Sequence, residues 1–395
     1  MSEETKKAPA IRFQGFTDDW EQRKLGDDKD VRDGTHDSPK YHQEGHPLVT
    51  SKNLNDYGLD MTDVSLISDA DFEAINKRSK VDNGDILFGM IGTIGNPVIV
   101  DRSDFAIKNV ALIKEGGDIP NRFLIQLLKS SVFEKYIRNE NAGNTQKFLG
   151  LSKIREFTFF TPTTEEQIRI ATFFKQLDDT IALHQRQLDN YKQLKKSMKQ
   201  KIFDQKLRFK DADGNDYPKW KRRTLGEISE IIMGQSPDSA NYTSNEQDTV
   251  LIQGNADLNG GRITPRIYTT QITKTCEAGD IILTVRAPVG DLAIANTRAC
   301  IGRGVCAIKG DLYIYQYLEM IRDTDGWRKI IQGSTFESIN SNDVKDLPID
   351  VPSSEERKKI AEFFKALDRR IEKSTQRVES MKQFRKGLMQ QMFVE

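Results

Sequence analysis

Residues Pro162–Gln205 are matched without a gap by Pro352–Glu395, at an offset of 190 residues, and 16 of the 44 aligned positions are identical. The identities include Pro162/Pro352, Glu165/Glu355, Ile170/Ile360, Phe173/Phe363, Phe174/Phe364, Leu177/Leu367, Asp178/Asp368 and Ile181/Ile371. An internal duplication decides domain organisation before any local pattern is read. Weaker matches carry it through the rest of the chain. Trp20-x4-Leu25-Gly26-Asp27 returns as Trp220-x4-Leu225-Gly226-Glu227, Gly84-Asp85-Ile86-Leu87 as Gly279-Asp280-Ile281-Ile282, and Val110–Lys114 as Val305–Lys309. Ile11-Arg12-Phe13 matches Leu207-Arg208-Phe209, which follows the first long segment. Each half therefore closes on itself.

Both copies of the long segment begin as helices do. Thr163/Thr164 and Ser353/Ser354 follow a proline, and two glutamates come next, at the positive end of the helix dipole. Beyond that proline, the only Pro or Gly in either copy is Gly387. The spacing predicts about 42 helical residues per copy, or about 60 Å at ~1.5 Å per residue. Alternating steps of four and three join Leu177, Ile181, His184, Leu188, Tyr191, Lys195, Met198 and Ile202. The second copy repeats the pattern with Leu367, Ile371, Ser374, Val378, Met381, Arg385, Leu388 and Met392. That is a coiled-coil seam, with polar entries at equivalent places, as suits positions that fix register. The alternative is two independent surface helices. The seams are too narrow for that, and with a whole domain between them an antiparallel pair is the natural closure. Residues 186–210 carry nine basic groups against Asp189 and Asp204, a solvated face or a phosphate-binding stripe.

The remaining sequence, residues 15–161 and 211–351, mixes short strand-like runs with one amphipathic helix per half. The strand-like runs are 84–88, 98–100 and 106–113 in the first half, and 250–253, 280–285 and 304–308 in the second. The predicted helices are 121–138 and 313–331. The expected fold class is α+β: two mixed domains separated by two long helices in an antiparallel coiled coil, with a pseudo-twofold internal repeat. The segments are 15–161 (first variable domain), 162–206 (central helix), 211–351 (second variable domain) and 352–395 (C-terminal helix).

Composition narrows the function. With 395 residues, two globular units are expected. No run approaches the ~20 apolar residues of a membrane span. The three cysteines lack metal-ligand spacing and fit free thiols in a reducing cytoplasm. Lys and Arg number 59, as do Asp and Glu, so any DNA-binding charge must be local or supplied by a partner. Catalytic signatures are missing. There is no phosphate-cradling loop, and Gly89, Gly92 and Gly95 read as a turn between strands. Asn96-Pro97 is not followed by the aromatic residue of amino-methyltransferases. His36, His42 and His46, beside Asp37 and Glu44, read as a recognition loop rather than a metal site. The expectation is no catalytic residue, no metal and no cofactor in this chain.

Two variable domains alternate with two near-identical helices, each introduced by Pro-x-x-Glu-Glu-(x)4-Ala-x-Phe-Phe-x-x-Leu-Asp. This pattern resembles the specificity subunit of type I restriction–modification systems over essentially the whole chain. The resemblance implies a non-catalytic subunit in which each variable domain reads half of a bipartite, asymmetric site on double-stranded DNA. The coiled coil would set the spacing and dock modification (methyltransferase) subunits, two of them expected. S-adenosylmethionine and ATP would sit on the partner modification and restriction/translocase subunits.

Side chains able to discriminate base edges then become candidates. In the first domain they are Thr35, His36, Lys52, Asn53, Thr93, Asn144, Thr145, Gln146 and Lys147; in the second, Gln235, Ser236, Gln253, Asn255, Arg286, Arg303, Ser334 and Thr335. The competing reading is a coiled-coil scaffold that never touches DNA, favoured by the zero net charge. Against it stands the duplication of domains with diverged polar loops.

Overall fold

In a computed structural model that describes residues 7–55, 58–92, 94–141, 148–331 and 337–394, the repeated segments form two long helices, Thr164–Phe203 and Ser354–Gln391. The chain divides into two compact units, Met1–His184 with Arg377–Glu395, and Gln185–Gln376. Each unit thus combines one variable domain with part of both long helices, so both helices are shared between the units.

The first unit is built on a four-stranded antiparallel sheet in the order Val31–Asp33, Val110–Ile113, Ile86–Gly89, Gly95–Ile99. The two central strands are buried along their whole length, which is why they read as continuous apolar runs rather than alternating ones. A second sheet orders Ser65–Ile67, His46–Val49 and Ala106–Ile107, the last two parallel. The expected strand 106–113 is therefore two strands in two sheets. Asn109 separates them at φ 55°, a left-handed conformation that Asn tolerates better than most residues. The expected helix 121–138 is likewise two, Asn121–Leu128 and Ser131–Glu140. Ser130 sits at the break and donates its hydroxyl to the carbonyl of Leu127 at 2.6 Å, in competition with a continuing helix.

The second unit repeats this plan with more strands. One sheet orders Glu230–Met233, Val305–Lys309, Ile281–Thr284, Leu292–Ile294, Arg262–Ile263 and Leu258–Asn259. A second orders Tyr242–Thr243, Tyr268–Thr269, Thr249–Ile252, Ala299–Ile301 and Thr275–Cys276. The expected helix 313–331 ends early, as Leu312–Asp323 followed by a 3-10 turn at Gly326–Lys329. Asp325 breaks it at φ 56°.

In both units an aromatic residue near the end of one long helix plugs the core. Phe393 meets Trp20, Phe123 and Phe174 at centroid distances of 6.4, 5.9 and 6.2 Å. Its repeat-mate Phe203 meets Tyr313, Tyr317 and Phe364 at 5.3, 5.3 and 6.4 Å. An arginine from a short strap just ahead of each variable segment, residues 11–13 or 207–209, clamps the start of the other helix. Arg12 forks onto the fully buried carboxylate of Glu166 with both contacts at 2.8 Å, and Arg208 onto Glu356 at 3.1 and 2.6 Å. The sequence suggested only a helix-dipole role for these glutamates; in the fold each anchors the strap that closes its unit.

Within each unit the two helix segments are antiparallel, because a rising number on one meets a falling number on the other. In the first, Phe174 faces Phe393 and Asp178 faces Arg385. In the second, Lys195 faces Asp368 and Phe203 faces Phe364. Leu188, Leu367 and Val378 are buried, while Leu177, Ile181, Tyr191, Met198, Ile371, Met381 and Leu388 are half-buried. The second unit adds a buried ionic cluster. Lys199, 3% exposed, donates to Glu319 at 2.9 Å and Asp323 at 2.7 Å, and Lys195 donates to Glu319 at 2.8 Å. Burial alone would raise the Glu319 carboxyl, but the charges of Lys195 and Lys199 outweigh it and hold it below the ordinary carboxylate range.

Candidate nucleic-acid interface

Loops converge at one rim of each unit, and the two rims share a backbone plan. In the first, Gly34 donates to Val110 at 2.9 Å, Thr35 to Ile107 at 3.0 Å, and Leu149 to Met90 at 3.0 Å. In the second, Gly234 donates to Val305 at 3.0 Å, Gln235 to Ile301 at 2.8 Å, and Ile339 to Val285 at 3.0 Å. Ile91 bridges Phe148 as Arg286 bridges Ser338, both antiparallel. Glycine is required where these loops meet. A Cβ on Gly34 would lie 2.3 Å from the carbonyl oxygen of Ile107, and one on Gly234 would lie 2.1 Å from that of Gly302.

On the first rim, Thr35 is half-buried and its hydroxyl accepts from the backbone N–H of Asp37 at 3.1 Å. His36 is exposed. Its Nδ1 lies 2.8 Å from Asn109 Oδ1 and its Nε2 3.0 Å from Asp33 Oδ2. With an acceptor at each ring nitrogen the doubly protonated ring is favoured, so Asn109 and then Asp33 raise its pKa above 6.5. Lys52 is exposed and pairs with Asp63 at 3.1 Å. Asn53 faces inward. It is buried, its amide nitrogen donates to the carbonyls of Asp60 and Asp63, and its oxygen accepts from Thr50. It shapes the loop instead of presenting an amide to solvent. Thr93, Asn144, Thr145, Gln146 and Lys147 lie outside the described residues.

The second rim forms a cleft of about 790 Å³ lined by Gly234, Arg286, Arg303, Glu337, Ser338 and neighbouring residues. Arg286 and Arg303 are exposed, and among the described residues neither has an ion-pair partner. The hydroxyl of Ser236 accepts from the backbone of Arg303 at 3.1 Å, which fixes the loop carrying that arginine. Gln235 is exposed, with its backbone bonded as above, and Asn255 is exposed at the start of a 3-10 turn. Gln253 is half-buried and donates its N–H to Asp257 at 2.7 Å. Ser334 and Thr335 lie outside the described residues.

The structure brings together Thr35 with His36, and Gln235, Ser236, Arg286 and Arg303. It adds four rim residues that the sequence reading passed over: Lys108, Asn109, Ile91 and Phe148. The offset of 195 that aligns Val110 with Val305 also aligns Lys108 with Arg303 and Ile91 with Arg286, so the repeat already carried that signal.

The sequence model described as "Type I restriction modification DNA specificity domain" matches residues 17–193 and again 217–382, one match per repeat. The chain belongs to that family. The specificity-domain chain is also 29% identical to a Methanocaldococcus jannaschii protein named "Putative type I restriction enzyme MjaX specificity subunit", over 94% of this chain and 92% of that one. The fold resembles two solved structures. One, from a study of complex assembly in a type I restriction–modification system, aligns at TM-score 0.62 and 21% identity over 94% of this chain and 96% of that one. The other, a type I system S subunit from M. genitalium, aligns at TM-score 0.62 and 15% identity over 98% and 99%. Membership of a two-domain specificity family accounts for paired rims in a way that a DNA-free scaffold does not. No helix among the described residues is long and apolar enough to cross a membrane.

Proposed function

We propose that this specificity subunit reads a bipartite, asymmetric sequence on double-stranded DNA, one half-site per rim. The observation that carries the reading is duplication with divergence at one place. The backbone of the rim is shared between the units, while the side chains it presents differ: Thr35, His36, Lys108 and Ile91 against Gln235, Ser236, Arg303 and Arg286. Exposed guanidiniums that are unpaired among the described residues, at a cleft, suit bidentate recognition of guanine or contact with phosphates.

The chemistry resides on partners. Two modification subunits dock on the paired helices and methylate adenine using S-adenosylmethionine, and the ATP-dependent restriction/translocase subunit completes the complex. In this reading the chain itself is non-catalytic, acts in the cytoplasm, and uses its paired helices to set the spacing of the half-sites.

Long-read methylome sequencing of cells carrying the modification subunit, with and without this gene, tests the reading. The expected result is a bipartite methyladenine motif that appears only with the gene. Should the complex form but produce no gene-dependent motif, and should its DNA binding stay flat across salt, the scaffold reading replaces this one.

A further inference from the structure

We infer that Ile91 and Phe148 read thymine methyl groups in the half-site facing the first unit, at the position where the second unit presents Arg286 and Ser338. The inference rests on the DNA-recognition reading above and specifies its chemistry. The two pairs are equivalent on three counts. Each forms an antiparallel bridge, each is followed by the same backbone hydrogen bond (Leu149 to Met90, Ile339 to Val285), and both fall at the offsets of the repeat.

Ile91 is 37% exposed and Phe148 49% exposed. Single exposed apolar side chains are ordinary, but two bridged together on a polar rim form a patch that water solvates poorly. The patch is tied into the rim on both flanks. Ser51 donates its hydroxyl to the carbonyl of Ile91 at 3.2 Å, and Met90 donates its N–H to Asn109 at 3.4 Å, the residue that holds His36. Of the groups on a major-groove edge, the C5-methyl of thymine is the apolar one. An apolar pair set among His36, Asn109 and Lys108 therefore fits a thymine methyl beside polar base edges and a phosphate. The duplicate position with its arginine fits guanine. Two half-sites of unlike chemistry follow from one backbone.

The test uses the complex with its modification subunits and a duplex carrying the bipartite motif found by methylome sequencing. Thymines are replaced by deoxyuridine in one half-site at a time, which removes only the methyl group. Substitution in one half-site is expected to weaken binding about fourfold per contacted methyl, the equivalent of one buried methyl group, with little effect in the other. Ile91→Ala or Phe148→Ala should bind the thymine and uracil duplexes alike, while Arg286→Ala keeps the difference. Equal binding of both duplexes by the unaltered complex, or a difference that survives in both apolar variants, overturns the inference. Loss of the modification subunits from Ile91→Ala would also overturn it and assign the patch to protein docking. A complex without motif-dependent binding to any duplex would instead fail the DNA-recognition reading itself.

Discussion

Lys195 on the first long helix lies 2.7 Å from Asp368 on the second, and the repeat carries the same pair, with roles exchanged, as Arg385 and Asp178 in the other unit. Among the described residues each unit has one such cross-helix ion pair, in a seam whose other polar entries, His184 and Ser374, carry no cross-helix charge partner and whose remaining positions are apolar. A charged layer of this kind specifies pairing and register more than it stabilises.

The second unit builds further on its pair. Glu319 serves Lys195 and the buried Lys199, where the first unit has Met389 and Phe133 at the places of Lys199 and Asp323. Glu319→Ala leaves both ammonium groups short of a partner and is expected to cost roughly 3 kcal/mol of unfolding free energy, read by denaturant titration. The Glu319 carboxyl is held below its ordinary 4.5. Its contribution is therefore present above that value and lost as pH falls through the folded pKa. An unaltered acid limb in the variant would show that the cluster is not coupled to folding.

The aromatic plugs should dominate the stability of their units. Phe393→Ala and Phe203→Ala are each expected to destabilise by about 3–5 kcal/mol, as large cavities in aromatic cores do. Calorimetry of the two variants checks this. A shift of a degree or less would mean that the long helices do not depend on these contacts.

His36 gives the first rim a pH response. Its ring stays protonated above 6.5 because Asn109 and Asp33 accept from it. The charge is complete below the ordinary histidine value and disappears as pH rises through the raised one. DNA affinity should fall over that window, and His36→Gln should flatten the profile; NMR titration of the ring locates the midpoint.

Arg286 and Arg303 should act on one half-site only. Arg286→Ala is expected to relax a single motif position, at a cost of about 1–3 kcal/mol of discrimination if its contact is bidentate to guanine. If it touches phosphate instead, it will weaken all sequences alike and flatten the salt dependence. Methylome sequencing of the variant separates these outcomes.

Much of the architecture was legible from the repeat. The 190-residue offset and the 3–4 spacing of Leu177, Ile181 and Leu188 reveal paired antiparallel helices, because a seam must face something apolar. What the periodicity hid were interruptions of two residues. Asn109 and Asp325 turn the chain through positive φ inside runs that read as one strand and one helix. Site residues were harder to identify, because polarity does not say which way a side chain points. Asn53 has the chemistry of a base reader yet spends every hydrogen bond on its own loop. Ile91 and Phe148 were overlooked for the opposite reason: an apolar residue in a strand-rich domain reads as core.

The close approach of Gly34 to Ile107 and of Gly234 to Gly302 has a consequence for how such a protein changes over time. A carbonyl-to-glycine contact pins the main chain of the rim without involving the neighbouring side chains. Mutations at His36 or Gln235, whose side chains hold no backbone group of the rim, can then alter the vocabulary of the reader while its grammar stays intact. A lineage under pressure to recognise a new word need not pass through an unfolded intermediate to reach it.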